Sequence, residues 1–337
     1  MRRTAPTLLT AALIGGCSAQ RIDPLAAGLG AEVWPKPPDA ARVRYLGRLT
    51  GSEDFGHQAS AGRFWRELVR GPEAPSMMAT PADVAVSADA QRVAVADPNG
   101  PCVHVFDLVN RSYARVEGDA DDGLESPVGV AAVDGAWWVT DSKRAAIAVV
   151  SGSKLVRWIG RGAFVRPAGL AWSATNRRCY VTDAGRHAVV VLDQSGRVVG
   201  QFGSRGSDTG QFNFPSHIAA GADGQIVVAD SLNFRVQRFD AGGSPMGAFG
   251  HKGDAAGDMA LPKGVALDQA GNIWVADARF ENIQAFTPQG QLLMAMGGEG
   301  TASGRFWLPN GITIDRRQRL WVADSYNRRV QVFELLP

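Results

Sequence analysis

The side chains able to do chemistry fall into two columns. Just past six prolines the chain reads Ala82-Asp83, Val128-Gly129, Ala168-Gly169, Ser216-His217, Lys263-Gly264 and Asn310-Gly311. Glycine fills most of the second places, so Asp83 and His217 are departures, and Ser216, Lys263 and Asn310 add polar groups beside them. A carboxylate, an imidazole, a hydroxyl, an amine and an amide brought together can hold a polar ligand, a metal or a proton in transit. The second column follows a recurring aspartate and carries Lys143, Arg144, Arg186, His187, Arg235, Arg279, Arg328 and Arg329, with Glu281 the clearest opposing acid. Gathered on one face, such cations favour an acidic partner. A solvated rim of long side chains is the plainer alternative.

Several chemistries find no support in the spacing. The five histidines, at 57, 104, 187, 217 and 251, share no repeat position. The Gly-rich loops do not lead from a strand into a helix, so the phosphate-cradling arrangement is missing. Asp119, Asp121 and Asp122 lack the alternation of a calcium loop. No nucleophile sits next to a base in the sequence, so no catalytic residue, metal or cofactor is assigned. Cys102 and Cys179 lie in non-adjacent repeats and read as small buried apolar residues rather than a bridge.

These columns exist because the chain repeats. Asp230, Asp277 and Asp324 are 47 residues apart, each ending a run such as Ile226–Asp230, Ile273–Asp277 or Leu320–Asp324. Three weaker copies begin at Pro81, Pro127 and Pro167 and reach Asp97, Asp141 and Asp183. The loops agree independently: Gly203, Gly206, Gly210, Phe212 and Pro215 match Gly250, Gly253, Gly257, Met259 and Pro262. The runs are short, rich in Val, Ile, Ala and aromatics, and punctuated by Gly and Asp, which reads as antiparallel strands. One such unit leaves both faces bare, and radial packing buries them. The expected fold is all-β, a six-bladed β-propeller. The last copy stops before a fourth strand, and Val43-Arg44-Tyr45-Leu46-Gly47 has the missing pattern, so the N-terminal strand is expected to pair with the last blade. The recurring aspartates, with Arg235 and Arg329 five residues on from Asp230 and Asp324, read as structural turn-holding pairs, since residues present in every blade serve what every blade shares.

Over residues 42–337 the chain resembles NHL-repeat propellers, with repeats four and six the most faithful. That resemblance implies a face that binds a partner. The amidating lyases of similar fold carry zinc on histidines directly after the strand-starting proline, and none stands at the matching places here. Gluconolactonase-like propellers need an acidic and amide metal shell, for which only Asp83 and Asn310 offer themselves.

Other segments read as targeting and tether. Arg2 and Arg3, a short apolar stretch to Ile14, and Gly15-Gly16-Cys17 resemble a bacterial lipoprotein signal over 1–16, with Cys17 lipidated and Ser18 favouring the outer membrane. Loss of Arg2 and Arg3 takes the net charge from +2 to zero, which gives no sign of nucleic-acid binding. Residues 17–41 are proline-rich and read as a tether, and the insertion 51–79 contains a short amphipathic helix over 63–70. The expectation is a monomeric cell-envelope scaffold that recognises a protein, peptide or anionic glycan through the loop face and channel mouth. A metal-dependent hydrolase or lyase is the alternative.

Overall fold

The computed structural model describes residue 25 and residues 32–55 and 75–337. Cys17, the leader and the helix expected over 63–70 lie outside the described residues. Six antiparallel sheets are present. Blade 1 contains Asp83–Val86, Arg92–Asp97, Cys102–Asp107 and Ser112–Val116. Blades 2 to 5 begin with the inner strands Pro127–Val133, Pro167–Ser173, Pro215–Ala220 and Pro262–Leu267, and each adds three more strands outward. Blade 6 contains Pro309–Ile314, Arg319–Asp324 and Arg329–Leu335, and Val43–Leu49 supplies its fourth strand.

The N-terminal strand closes the ring, as expected, by pairing with the last strand of blade 6. Tyr45 lies opposite Phe333 and Leu49 opposite Val330, and the Tyr45 and Phe333 rings meet edge to face with centroids 5.5 Å apart. Arg44 Nε donates to Glu334 Oε2 at 3.0 Å across the same seam. One strand exceeds the expectation. Val33–Trp34, within the stretch read as a tether, pairs with Val43 and Arg44 as a fifth strand. Trp34 packs edge to face on Phe333 at 5.7 Å, so the proline-rich segment is anchored at this end.

The second strands are buried continuously rather than alternately, as in Ile226–Asp230 and Ile273–Asp277. Both faces of a blade are covered by its neighbours, which removes the usual in-and-out pattern. The core is accordingly divided among the seams. Tyr180, Phe212, Ile218 and Phe239 fill the one between blades 3 and 4. Leu49, Met78, Val84, Phe106, Trp321 and Val330 fill the one that joins blade 6 to blade 1. Each such large side chain contributes about 1.5–3 kcal/mol of burial, and none of it is available to a blade standing alone.

Candidate ligand site at the channel mouth

Each inner strand is aimed by the aspartate that ends the second strand of its blade. Asp97, Asp141, Asp183, Asp230, Asp277 and Asp324 are fully buried, and each accepts backbone N–H groups from the loop entering its own blade. Asp230 takes Asn213 at 2.7 Å, Asp324 takes Trp307 at 2.8 Å, and Asp183 takes Val165 and Arg166 at 2.8 and 2.9 Å. In blades 4 and 6 an arginine completes the latch, with Arg235 Nε 2.8 Å from Asp230 and Arg329 Nε 2.7 Å from Asp324. Gln237 and Gln331 add bonds of 3.1 and 3.0 Å. Blade 1 builds the same latch from other residues: His104 Nε2 lies 3.3 Å from Asp97 and from Cys102 Sγ, and His104 Nδ1 lies 2.7 Å from the Tyr113 hydroxyl. Burial pushes the Cys102 thiol up to about 11, so this Cys-His-Asp cluster holds no thiolate nucleophile. Burial also raises Cys179, and both cysteines are free.

Just past each proline in blades 2 to 6 the inner strand shifts register against its neighbour. An extra residue at such a shift re-aims the side chains beside it, while in blade 1 Asp83 lies opposite Ala96 without a shift. Space at the axis is scarce. A Cβ on Gly311 would overlap the Asp83 carboxylate, one on Gly264 the Asn310 carbonyl and one on Gly129 the Ala168 carbonyl, while one on Gly169 would come 2.7 Å from His217 Cα. Four of the six second positions are therefore confined to glycine, and the remaining two side chains meet across the ring.

His217 Nε2 donates to Asp83 Oδ1 at 2.9 Å. The two side chains are only 11% and 2% exposed, so the pair is shielded from water. Asp83 also accepts the amides of Val84 at 2.8 Å and Val130 at 2.9 Å. The Val265 amide points at His217 Nδ1 from 3.3 Å, which selects the tautomer with its proton on Nε2. Burial alone disfavours the imidazolium, but the Asp83 carboxylate outweighs it and holds the His217 pKa above its ordinary value. Both ring nitrogens and both carboxylate oxygens are thus engaged, and the pair forms a floor. Below it the channel continues as a cavity of about 190 Å³, and above it opens one of about 300 Å³. His217 borders both.

Lys263, Asn310, Ser216 and Arg166 line the upper cavity with Phe214 and several small apolar residues. The structure places Ser216 in a structural task. Its hydroxyl donates to the Lys263 carbonyl at 2.8 Å and lies 2.6 Å from Ser231 Oγ, tying blade 4 to blade 5. Lys263 Nζ has no acceptor among the described residues. Burial pushes its pKa down, and the Arg166 cation adds to the effect. Arg166 was not among the sequence candidates. Its guanidinium lies over the Phe214 ring at 5.1 Å and has no carboxylate partner among the described residues. The residues before the six prolines are Thr80, Ser126, Arg166, Phe214, Leu261 and Leu308, so the one cation in that column was the available signal.

The loop face is less cationic than its basic residues suggest. Lys143 pairs with Glu125 at 2.9 Å, Arg144 with Asp122 at 3.3 Å, and Arg186 with Asp183 at 3.4 Å. Glu281 instead latches the next blade, accepting the Leu308 amide at 2.9 Å, and His187 does the same for Phe214 at 3.2 Å. Arg279 and Arg328 are exposed and have no acidic partner among the described residues. These two do not line the mouth cavity.

The NHL repeat model matches residues 212–239 and 306–333, the loop and first three strands of blades 4 and 6. Two of the six repeats are therefore NHL repeats by that match. Solved structures share the fold at low identity. A streptogramin B lyase structure is 13% identical with a TM-score of 0.59, covering 77% of this chain and 94% of that one. Virginiamycin B lyase from Staphylococcus aureus is 14% identical with a TM-score of 0.55, covering 75% and 80%. Kuenenia stuttgartiensis hydrazine synthase is 13% identical with a TM-score of 0.54, covering 78% and 97%. Such identities establish the propeller fold and nothing finer.

Proposed function

We propose that this NHL propeller is a recognition module of the cell envelope, lipid-anchored through Cys17, that holds a carboxylate-bearing group of a protein, peptide or glycan partner at its channel mouth. One observation carries the reading: Lys263 and Arg166 border one cavity that no acid lines among the described residues, while the nearby Asp83 is occupied by His217, which borders the cavity, and by two amides. The half-buried Lys263 and the exposed Arg166, on one cavity of small apolar walls, attract an anion. Asn310 adds an amide for orientation. The engaged floor favours binding over hydrolysis or elimination, because His217 Nε2 and both Asp83 carboxylate oxygens are already bonded to one another or to backbone amides.

The reading is tested by titrating fluorescent Asp/Glu-rich peptides and oligouronates into wild type and the Lys263→Met, Arg166→Met double variant at two salt concentrations. Saturable binding that weakens at least tenfold in the variant, a loss of about 1.4 kcal/mol, supports it. Affinity equal in both proteins removes the mouth from the account.

A further inference from the structure

The amine of Lys263 has a property that anion binding does not require. Most lysines on a protein surface are solvated or paired, as Lys143 is with Glu125. Lys263 is half-buried, borders a cavity walled by Ala82, Val128 and Ala168, and has no acceptor for its ammonium among the described residues. Arg166, fixed over Phe214, places a second positive charge beside it. A lysine desolvated against apolar walls and next to another cation is the arrangement that makes an amine nucleophilic near neutral pH.

We propose that Lys263 is a covalent capture site, its amine condensing reversibly with the carbonyl of a small oxo acid whose carboxylate is held by Arg166. The proposal rests on the reading of the mouth as a carboxylate site and adds a covalent step to it. The neutral amine adds to the carbonyl carbon to give a carbinolamine. A carbon–nitrogen double bond then forms as the carbon–oxygen bond breaks, and the oxygen leaves as water with the two amine hydrogens. No oxidant or reductant is needed. The imine nitrogen then takes back the proton that the lysine ammonium gave up to the surrounding water before attack, so the positive charge is restored, and the ligand carboxylate offsets it and the Arg166 charge. The pocket suits this ligand class, because the carboxylate and carbonyl of an oxo acid are adjacent and the two cations border one cavity. Burial and Arg166 both lower the Lys263 pKa, which enlarges the neutral fraction at the pH where surface lysines are almost wholly protonated.

The test treats the intact protein at pH 7 with glyoxylate and cyanoborohydride, which reduces imines in place, and locates carboxymethylated lysines by peptide mass spectrometry. Lys263 is expected to be labelled about tenfold or more faster than Lys143 and Lys252, in the direction its larger neutral fraction implies. Arg166→Met is expected to abolish the preference for glyoxylate over uncharged formaldehyde. In parallel, oxamate, an isostere whose amide carbonyl does not condense, is titrated into wild type and Lys263→Arg. Oxamate binding in both proteins with Lys263 labelled no faster than the surface lysines overturns the capture and leaves the carboxylate reading standing. Absence of saturable oxamate binding together with indifferent labelling overturns both.

Discussion

Asp230 and Asp324 hold the same arginine, asparagine and glutamine, whereas the six positions past the prolines share little beyond small size. The two tiers sit on consecutive strands of the same blades, yet they answer to different demands. An aspartate at the end of a second strand must fasten the loop that enters its own blade, and every blade has such a loop. At the axis the demand is collective: six inner strands converge, four of them can carry only glycine, and the room left admits one pair of side chains from opposite blades. A residue repeated around the ring therefore reports on how blades stand, and a departure at the axis reports on what this particular ring does. Blade 1 shows that the first rule concerns the task rather than the residue, since Cys102 and His104 stand where blades 4 and 6 use arginine and glutamine, with Tyr113 bonded behind His104.

The contrast is open to attack from the latch side first. Asp324→Ala strips the acceptor from Trp307, Asn327, Gln331 and the buried Arg329, and is expected to cost about 3–5 kcal/mol, the usual penalty for leaving a buried charge unpaired. Denaturant unfolding checks it, and a loss below about 0.5 kcal/mol breaks the latch account.

The axial pair is expected to matter less for stability. His217→Gln should cost about 1–3 kcal/mol, the penalty for disturbing a buried hydrogen-bonded group, and the cost should depend on pH in a fixed direction. The folded pKa of His217 lies above the unfolded value, so the extra stability is fully present below about pH 6.5 and is lost as pH rises through the folded pKa. The stability gap between wild type and His217→Gln is thus larger at pH 5.5 than at pH 9. A gap that widens with rising pH contradicts the Asp83 interaction as its source.

Smallest is the effect at the rim. Arg279→Glu with Arg328→Glu should change stability by no more than about 0.5 kcal/mol, since both side chains are exposed and unpaired. Retained binding of acidic ligands in that variant sharpens the assignment to the mouth. Its loss transfers recognition to the loop face.

The fold was legible because a propeller writes its period into the chain: recurring aspartates and matching glycine loops fix blade number and strand order, and the missing fourth strand of the last copy points to closure by the segment around Tyr45, without knowledge of distance. Asp83 and His217 were legible for a related reason. They broke a glycine column in the first and fourth copies, and those copies face each other in a ring of six. Other features depended on neighbours that no period records. Glu125 and Asp122 reach Lys143 and Arg144 from the loop that opens their blade, so the loop face looked more basic than it is. Trp34 was hidden among prolines that suggested an extended tether, and its burial against Phe333 depends on the closing strand lying beside it. Ser216 lines the mouth as its place in the column implied, but its bond to the Lys263 carbonyl depends on the neighbouring blade and could not be read from the sequence.

The most direct measurement is a crystal structure of the protein grown with a saturating acidic peptide. The account predicts a carboxylate seated above the intact His217–Asp83 floor, within hydrogen-bonding distance of Lys263 Nζ and the Arg166 guanidinium. An empty mouth with the peptide bound elsewhere on the propeller would contradict it.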